Sequence, residues 1–400
     1  MKAIILAAGE GNRMRPLTCT RPKVMIPIAN KPILEHLLIE AREAGIGEFI
    51  FVVGYHDERV RDYFGGGDKW GVSIDYCVQR KQLGTADALK AVKDLIDGNF
   101  LVINGDVIAG RKDISQLSRS SSNTVGVVKV KDTKELGVVE VSGDRATHIY
   151  EKVEKSTSSM ANTGLYLFTQ DIFDAISQTS KSPRGEYEIT GSLQLMIDEG
   201  HHVSCQEISS WLDLSYPWDL LLANEALLAD IKAQNLGEVE ESVVIKGAVS
   251  IGKGTVVRSG SYIVGPVIIG QDCDIGPNCF IRPCTSIGNN CHIGNAVEVK
   301  NSIVMNGTKI PHNNYVGDSV IGEECNLGAG TVIANLRLDK KDIIVANIDT
   351  KMRKLGAIIG DRVETGINTT INVGSVIGNN TFIGPGAIVS GVILPDSRLF

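Results

Sequence analysis

The sequence predicts an α/β domain followed by a left-handed parallel β-helix, and three observations lead to this prediction. The chain has 400 residues, more than one hydrophobic core usually serves, so we expect two domains. From residue 1 to about 216, short apolar runs alternate with stretches of helical periodicity. From about residue 240, an aliphatic residue followed by glycine recurs every six residues.

Composition narrows the class of protein. The chain is 43% hydrophobic and 22% charged, without an apolar run long enough to cross a bilayer. Residues 1–8, MKAIILAA, lead directly into a glycine-rich turn and predict a buried strand rather than a signal peptide, so we expect a cytoplasmic protein. The net charge of −7 argues against nucleic acid or an anionic membrane as a partner. A partner of either of these two classes is therefore not expected.

The first domain, residues 1–216, has the alternating pattern of a Rossmann-like fold. Alternation of strands and helices favours a mostly parallel sheet covered on both faces. The predicted strands are KAIILAAG, EFIFVVG, NFLVING, TVGVVKV and TGLYLF, and the clearest helices are KPILEHLLIEAREAG and GTADALKAVKDLI. Residues 217–234 begin with Pro217 and predict one amphipathic helix, within a connector that spans 217–237.

The second domain, residues 238–400, has the hexapeptide repeat of a solenoid. Each coil is expected to hold three short strands, with the aliphatic residue pointing inward and glycine or asparagine at the corners. Typical repeats are Ile251-Gly252, Ile269-Gly270, Ile275-Gly276, Ile287-Gly288 and Ile293-Gly294.

Four of the eight cysteines also follow this repeat. They stand two residues before the inward aliphatic residue, and no CxxC pair is present. Because free cysteine behaves as a small hydrophobe, we expect these residues to pack in the core rather than to bind metal. They are Cys273, Cys279, Cys291 and Cys325.

The repeat becomes irregular at residues 301–317, NSIVMNGTKIPHNNYVG. Because the aliphatic residues are unevenly spaced, we expect this stretch to bulge from the coil and to project His312 and Tyr315 sideways. A histidine with an ordinary pKa near 6.5 can accept a proton around neutral pH. His312 is therefore a candidate general base.

The turn after the first strand combines glycines with cations. It reads LAAGEGNRMRPLTCTRPK, with Gly9 and Gly11 in the loop and with Arg13 and Lys23 beyond it. Backbone N–H groups of such a loop can bind phosphates, and fixed cations strengthen that binding. The turn is a candidate site for a nucleoside triphosphate.

Taken as a whole, the first half resembles the sugar-1-phosphate nucleotidylyltransferases. The resemblance implies that Arg13 and Lys23 act in catalysis and that the nucleotide is bound by Gly9, Gly11, Arg13, Lys23, Gln79, Gly84 and Thr85. It implies a Mg²⁺ site at Asp106 in NGD and Asp213 in WLDLS, and sugar-phosphate contacts from Gly137, Glu151, Lys152 and Asn162. In this reaction the sugar phosphate attacks the α-phosphorus and pyrophosphate leaves, so positioning and charge neutralisation suffice without a covalent nucleophile.

In the second half, IPHNNYVGD and CNLGAGTVIANL resemble the acetyltransferase part of another family. This family is the bifunctional glucosamine-1-phosphate acetyltransferase/N-acetylglucosamine-1-phosphate uridylyltransferases of the archaeal type. The resemblance implies His312 as the base, acetyl-CoA at the backbone of Ala329, and a substrate site of Arg282, Lys300, Tyr315, Asn326, Asn335 and Lys341.

We therefore expect a bifunctional enzyme that uses Mg²⁺, acetyl-CoA and UTP or dTTP, assembled as a homotrimer or a multiple of it. One alternative is a single-activity glucose-1-phosphate thymidylyl- or uridylyltransferase whose β-helix only assembles the oligomer. Another is a non-catalytic regulatory subunit, which would be free to lose Lys23, Asp106 or Asp213. The sequence does not determine whether the nucleotide base is uracil or thymine, or whether the amino sugar is glucosamine or galactosamine.

Overall fold

The computed structural model describes residues 1–152 and 158–400, which divide into two structural units. The first unit consists of Met1–Glu10, Arg21–Met25 and Ile33–Asp213. The second consists of Gly11–Thr20, Ile26–Pro32 and Leu214–Phe400. Two short segments from the N-terminal part of the chain thus group with the C-terminal part, which the sequence pattern did not indicate.

A mixed β-sheet forms the centre of the first unit. Its first four strands run parallel, as predicted. Beyond them the strand Met160–Phe168 is antiparallel to both neighbours, so the prediction of a mostly parallel sheet is correct for one half only. One reason is the hairpin that joins two strands through Gly143 and Asp144, because a two-residue turn makes its strands antiparallel. In spatial order the strands are Ser73–Val78, Glu48–Val53, Lys2–Ala7, Phe100–Asn104, Met160–Phe168, Thr124–Lys129, Ser204–Glu207, Arg145–Tyr150 and Val138–Ser142.

Both faces of this sheet are buried, as the alternation of strands and helices predicted. Successive residues of a strand point to opposite faces. Ile4 and Val102 pack into one hydrophobic cluster, whereas Ile5 and Ile103 pack into the cluster on the other face.

The helices cover the sheet and confirm the predicted helical stretches. The α-helices of the first unit are Ile33–Glu43, Asp57–Phe64, Thr85–Lys90, Arg111–Leu117, Ile172–Gln178 and Ile189–Asp198, and its 3-10 helices are Lys23–Met25, Asp68–Trp70 and Lys93–Leu95. The second unit has the α-helix Asp219–Leu228 and the 3-10 helix Asn12–Met14. The predicted connector helix thus ends at Leu228, and a strand already begins at Gln234. Among the described residues, no helix is long and apolar enough to span a bilayer.

Stacked parallel strands make up most of the second unit, as expected for a β-helix. Each coil adds one strand to each of three sheets in the described chain. The first sheet holds Gln234–Asn235, Val249–Ile251, Val267–Ile269, Thr285–Ile287, Ile303–Val304, Val320–Ile321, Ala357–Ile359, Ser375–Ile377 and Val392–Ile393. The second holds Glu238–Val239, Val256–Val257, Asp274–Ile275, His292–Asn295, Lys309–His312, Asn326–Leu327, Glu364–Thr365, Phe382–Ile383 and Arg398–Leu399. The third holds Val244–Lys246, Tyr262–Val264, Phe280–Ile281, Glu298–Lys300, Tyr315–Gly317, Val332–Ile333, Thr370–Ile371 and Ile388–Val389.

The core of the β-helix confirms the inward positions that the repeat predicted. The repeat isoleucines and the four cysteines of the repeat are buried together in one continuous cluster. Cys273 and Cys291 also donate their thiol hydrogens to backbone carbonyls of the following coil, Gly288 O and Met305 O. These cysteines therefore serve packing.

The expected bulge at residues 301–317 is wrong. The strands Ile303–Val304, Lys309–His312 and Tyr315–Gly317 continue all three sheets without interruption. Earlier coils advance by 18 residues, as from Val249 to Val267, whereas the chain advances by 17 both from Ser286 to Ile303 and from Ile303 to Val320. One missing residue in each of these two coils shifts the spacing of the aliphatic residues while the strands stay in register.

An insertion lengthens the coil that follows Val320. From Val320 to its partner Ile358 the chain advances by 38 residues. The additional residues include a small antiparallel hairpin, Ile344–Val345 with Ile348–Asp349. A bridge between Leu336 and Lys354 closes the base of this insertion.

Candidate active sites

Asp106, Asp213 and Lys23 come together where the central parallel strands end. Asp106 follows the strand Phe100–Asn104, at the carboxyl ends where α/β sheets bind their ligands. The next short strand, Val107–Ala109, pairs with Trp211–Asp213 and places Asp213 opposite Val107, one residue beyond Asp106. Lys23 Nζ donates a hydrogen bond to Asp106 Oδ2 at 2.6 Å, and its side chain is only 10% exposed.

This donor set suits Mg²⁺ bound together with a phosphorylated substrate. Mg²⁺ is commonly held by one or two carboxylates plus substrate phosphates rather than by a cage of protein ligands. Asp106 and Asp213 would supply those carboxylates. Within residues 1–152 and 158–400, no group of three or more His, Cys, Asp or Glu side chains could hold a metal by itself.

The glycine-rich turn is divided between the two units. Gly9 and Lys23 belong to the first unit, and Gly11 and Arg13 belong to the second. Gly11 has a φ of 66°, in the left-handed region that glycine adopts easily. The Arg13 guanidinium lies 5.3 Å from the centre of the Tyr216 ring. Triphosphate binding by these residues stays a prediction.

Gln79, Gly84 and Thr85 form one hydrogen-bonded segment. The buried Gln79 donates its amide N–H groups to Gly84 O at 3.0 Å and to Asp87 Oδ2 at 2.9 Å. Gly84 has a φ of 112°, and a Cβ atom there would lie 2.4 Å from Tyr187 O. The Ile189 N–H donates to Thr85 Oγ1. Gln79 thus shapes this loop, whereas base contacts from Gln79, Gly84 and Thr85 stay a prediction.

The predicted sugar-phosphate residues gather at the ends of neighbouring strands. The Asn162 N–H donates to Gly137 O at 2.9 Å, and a Cβ atom on Gly137 would lie 3.3 Å from Asn162 Cβ and 3.5 Å from Tyr150 O. Glu151 and Lys152 directly follow Tyr150, and Lys152 has a φ of 44°. The structure therefore brings Gly137 and Asn162 into contact, and Glu151 and Lys152 follow Tyr150, whose carbonyl oxygen lies near Gly137.

A cluster of carboxylates around Arg184 was not predicted. Arg184 Nη1 lies 3.3 Å from both Glu151 Oε1 and Glu188 Oε1, and Arg184 Nη2 lies 3.7 Å from Glu186 Oε1. Burial, followed by the charges of Glu151 and Glu186, raises the pKa of Glu188, and Arg184 opposes this. The only hint in the sequence was the charge pattern of RGEYE at 184–188.

In the second unit, the acetyltransferase candidates Lys300, Tyr315 and Asn335 meet around Asp318. Lys300 Nζ donates to Asp318 Oδ2 at 3.1 Å, and Asn335 Nδ2 donates to the same oxygen at 2.5 Å. Asn335 Nδ2 also donates to the Tyr315 hydroxyl at 3.1 Å. The Asp318 side chain is 4% exposed and that of Lys300 is 19% exposed. Sequence analysis missed Asp318, although an acidic residue within a small-residue repeat was a usable signal.

Arg282 lies in the coil next to Lys300. The Arg282 N–H donates to Val299 O at 2.8 Å, so the two cations occupy equivalent positions in neighbouring coils. Arg282 Nη1 donates to Glu298 Oε1 at 2.8 Å. Both predicted phosphate-binding cations are thus oriented by carboxylates of the β-helix.

His312 and Ala329 do not belong to the group around Asp318. His312 ends the strand Lys309–His312 and its side chain is exposed. The Gly330 N–H donates to His312 O at 3.1 Å, which places Ala329 in the coil directly after His312. The strand Tyr315–Gly317 separates His312 from Asp318 along the chain.

Two further predicted residues lie apart from these groups in the chain. Asn326 begins a strand of the second sheet and pairs with Lys309 rather than with the Asp318 cluster. Lys341 is exposed within the insertion, where its backbone N–H donates to Asp339 Oδ1. Their substrate contacts stay a prediction.

Comparison with protein families matches both halves of the chain. Residues 2–230 match the nucleotidyl transferase family. Residues 263–372 match the family described as the GMPPB C-terminal domain.

Three relatives span nearly the whole chain. A protein named bifunctional protein GlmU from Methanococcus maripaludis is 41% identical over 100% of this chain and 97% of its own length. A protein of the same name from Methanocaldococcus jannaschii is 42% identical over 97% of this chain and 95% of its own. A bifunctional sugar-1-phosphate nucleotidylyltransferase/acetyltransferase from Sulfurisphaera tokodaii is 40% identical, over 98% and 97%.

A crystal structure resembles part of the chain. It is of a protein assigned as a glucose-1-phosphate thymidylyltransferase from Bacillus anthracis, in complex with a sucrose. The two chains are 31% identical with a TM-score of 0.53, over 59% of this chain and 98% of the other. This similarity supports the nucleotidyltransferase fold.

Proposed function

Because this chain belongs to the family of bifunctional sugar-1-phosphate nucleotidylyltransferase/acetyltransferases, we propose which substrates its two activities use. The C-terminal half transfers an acetyl group from acetyl-CoA to the amine of glucosamine-1-phosphate. The N-terminal half then transfers a uridylyl group from UTP to N-acetylglucosamine-1-phosphate and releases pyrophosphate. The two halves thus catalyse consecutive reactions.

The arrangement of Lys300, Tyr315 and Asn335 around Asp318 carries the proposal for the acetyltransferase. A β-helix that only assembles an oligomer does not require an ammonium group held by a nearly buried carboxylate. With Arg282 in the neighbouring coil, Lys300 forms a pair of cations suited to a sugar phosphate. This cluster favours the acetyltransferase over an oligomer-forming β-helix alone.

In the proposed acetyl transfer, the substrate amine attacks the thioester carbonyl and forms the amide bond. The carbon–sulfur bond breaks, and the electron pair leaves on the coenzyme A sulfur. His312, whose side chain is exposed, accepts the proton that the amine loses. Arg282 and Lys300 hold the phosphate and so keep the amine in place for attack.

In the proposed uridylyl transfer, the substrate phosphate oxygen attacks the α-phosphorus of UTP. Lys23 contributes a nearly buried positive charge beside the reacting phosphates. Asp106 and Asp213 would hold Mg²⁺, which supplies charge neutralisation of the triphosphate when bound. Gly137, Glu151 and Asn162 would position the acetylated sugar phosphate.

The proposal extends to assembly and location. We expect a homotrimer or a multiple of it, formed along the β-helix. A cytoplasmic location fits eight cysteines that are all free.

Reciprocal variants of the two halves test the proposed function. The purified protein is incubated with glucosamine-1-phosphate, acetyl-CoA, UTP and Mg²⁺, and each component is omitted in turn. His312→Ala should lower acetyl transfer about 10²–10⁴-fold and leave uridylyl transfer to supplied N-acetylglucosamine-1-phosphate unchanged. Asp106→Asn should remove uridylyl transfer and spare acetylation, because the proposed acetyl transfer uses no metal.

His292→Ala is the matched control for His312→Ala. His292 lies in the same sheet, one coil earlier, beside Asp274, and its replacement should change neither activity. Full acetyl transfer by a folded His312→Ala protein would contradict the assigned base. Equal loss of both activities on chelation of Mg²⁺ would contradict the division between the halves. Parallel assays with dTTP and with galactosamine-1-phosphate define the base and the sugar.

A further inference from the structure

We propose that Asp318 is the positioning residue of the acetyltransferase site, acting through Lys300, and this inference rests on the proposed function. Asp318 receives hydrogen bonds from three side chains. They come from Lys300 Nζ at 3.1 Å, Asn301 Nδ2 at 2.7 Å and Asn335 Nδ2 at 2.5 Å. A carboxylate without hydrogens of its own can accept all three.

Because Asp318 is nearly buried, it fixes the direction in which the Lys300 side chain points. A nearly buried carboxylate must keep its partners, because an unpaired charge in this position is strongly unfavourable. Lys300 is the only positively charged group among the three partners. Its flexible side chain is therefore held in one direction, whereas an exposed lysine would sample many rotamers.

The amide group of Asn301 is also oriented by the Asp318 carboxylate. Asn301 points Nδ2 at the carboxylate even though its Oδ1 atom is buried without a hydrogen-bond partner in the described chain. Turning the amide round would place its oxygen against the carboxylate. The charge of Asp318 thus determines how the polar groups around it are oriented.

Asp318 leaves donor capacity for a ligand. An ammonium group has three N–H donors, and Asp318 accepts from one of those of Lys300. The backbone conformation of Asp318 is left-handed, with a φ of 51°, which few residues other than glycine, asparagine and aspartate adopt readily. We infer that Asp318 sets the direction of Lys300 before the sugar phosphate binds, without touching the reacting atoms.

Separate KM measurements for the two acetyltransferase substrates test this role. In Asp318→Asn, the KM for glucosamine-1-phosphate should rise about 10- to 100-fold, as expected when a binding group is misplaced by about 1 Å. The KM for acetyl-CoA and the rate of uridylyl transfer should stay at wild-type values. A structural role alone would instead lower the melting temperature and affect both substrates alike.

A double-mutant cycle tests whether Asp318 acts through Lys300. If it does, Lys300→Ala and the double variant Lys300→Ala/Asp318→Asn should have the same KM for glucosamine-1-phosphate. The proposal would be overturned if the effects of the two substitutions on this KM multiplied in the double variant. A KM within twofold of wild type in folded Asp318→Asn would also overturn it.

Two further variants complete the design. Asp274→Asn is the matched control, because Asp274 pairs with a cation of the neighbouring coil, Arg258, and is 39% exposed. It should leave both KM values unchanged. If Asp318→Asn does not fold, Asp318→Glu replaces it, because this variant retains the charge and displaces Lys300. A wild-type KM for glucosamine-1-phosphate in Asp318→Glu would mean that Asp318 has only a structural role. Wild-type protein without acetyl transfer to glucosamine-1-phosphate would refute the proposed function itself, whatever the variants do.

Discussion

At Gly317 the absence of a side chain makes room for Tyr315 and Asn335, two residues of the proposed acetyltransferase site. A Cβ atom there would lie 2.7 Å from both the Tyr315 hydroxyl and Asn335 Nδ2. Both atoms are the ends of side chains that can move, so we expect Gly317→Ala to fold and to displace them. Acetyl transfer should fall up to about 10²-fold, because a displacement of about 1 Å can have that effect.

Uridylyl transfer by the same protein is the internal control for Gly317→Ala, together with a melting curve. Both should match the wild type. If acetyl transfer stayed at the wild-type rate, Tyr315 and Asn335 would not belong to the acetyltransferase site in the way we propose.

At the scale of elements, the helix Asp219–Leu228 is fastened to the β-helix by one fully buried amide. Asn224 Oδ1 accepts from Ala29 N at 2.9 Å and from Ser286 Oγ at 2.6 Å, and its Nδ2 donates to Cys284 O at 2.9 Å. Asn224→Ala leaves two buried groups unpaired, the Ala29 N–H and the Ser286 hydroxyl. It should lower the free energy of unfolding by about 2–6 kcal/mol, since each of these groups costs about 1–3 kcal/mol when unpaired.

Chemical denaturation followed by circular dichroism measures this effect. Glu225→Ala, at an exposed position of the same helix, is the comparison and should change stability by less than about 0.5 kcal/mol. Equal stabilities of the two variants would show that the amide does not hold the helix.

At the scale of the whole molecule, exposed apolar side chains on the third sheet of the β-helix are the surface on which the proposed homotrimer is tested. Val244, Phe280, Val332 and Ile388 all lie on this sheet with more than a third of their surface exposed. A second copy of the chain would cover such residues. Light scattering should give a mass of three times 43.0 kDa, or a multiple of that value. A monomer at micromolar concentration would contradict the trimer, and Ile388→Asp should weaken the assembly if this sheet forms the contact.

The sequence by itself determined the two kinds of fold, because both depend on local periodicity. An aliphatic residue every six positions predicts a coil of short strands with that residue pointing inward. This pattern predicted the buried isoleucines and the packing of Cys273. The alternation of strands and helices predicted a sheet covered on both faces. Sequence motifs likewise brought Lys23 and Asp106 to attention together, and their side chains form an ion pair in the structure.

Tertiary structure decided what periodicity does not encode, namely register between distant residues. The coil at 301–317 keeps its strands by advancing 17 residues rather than 18, so the expected bulge is absent there. Lys300 and Asp318 meet because neighbouring coils stack them, and no role was predicted for Asp318 although it ends the motif IPHNNYVGD. Likewise, Asn335 reaches Tyr315 only across a coil boundary. Such contacts depend on which residues stack upon one another, because hydrogen bonds and charges act through space and not along the chain.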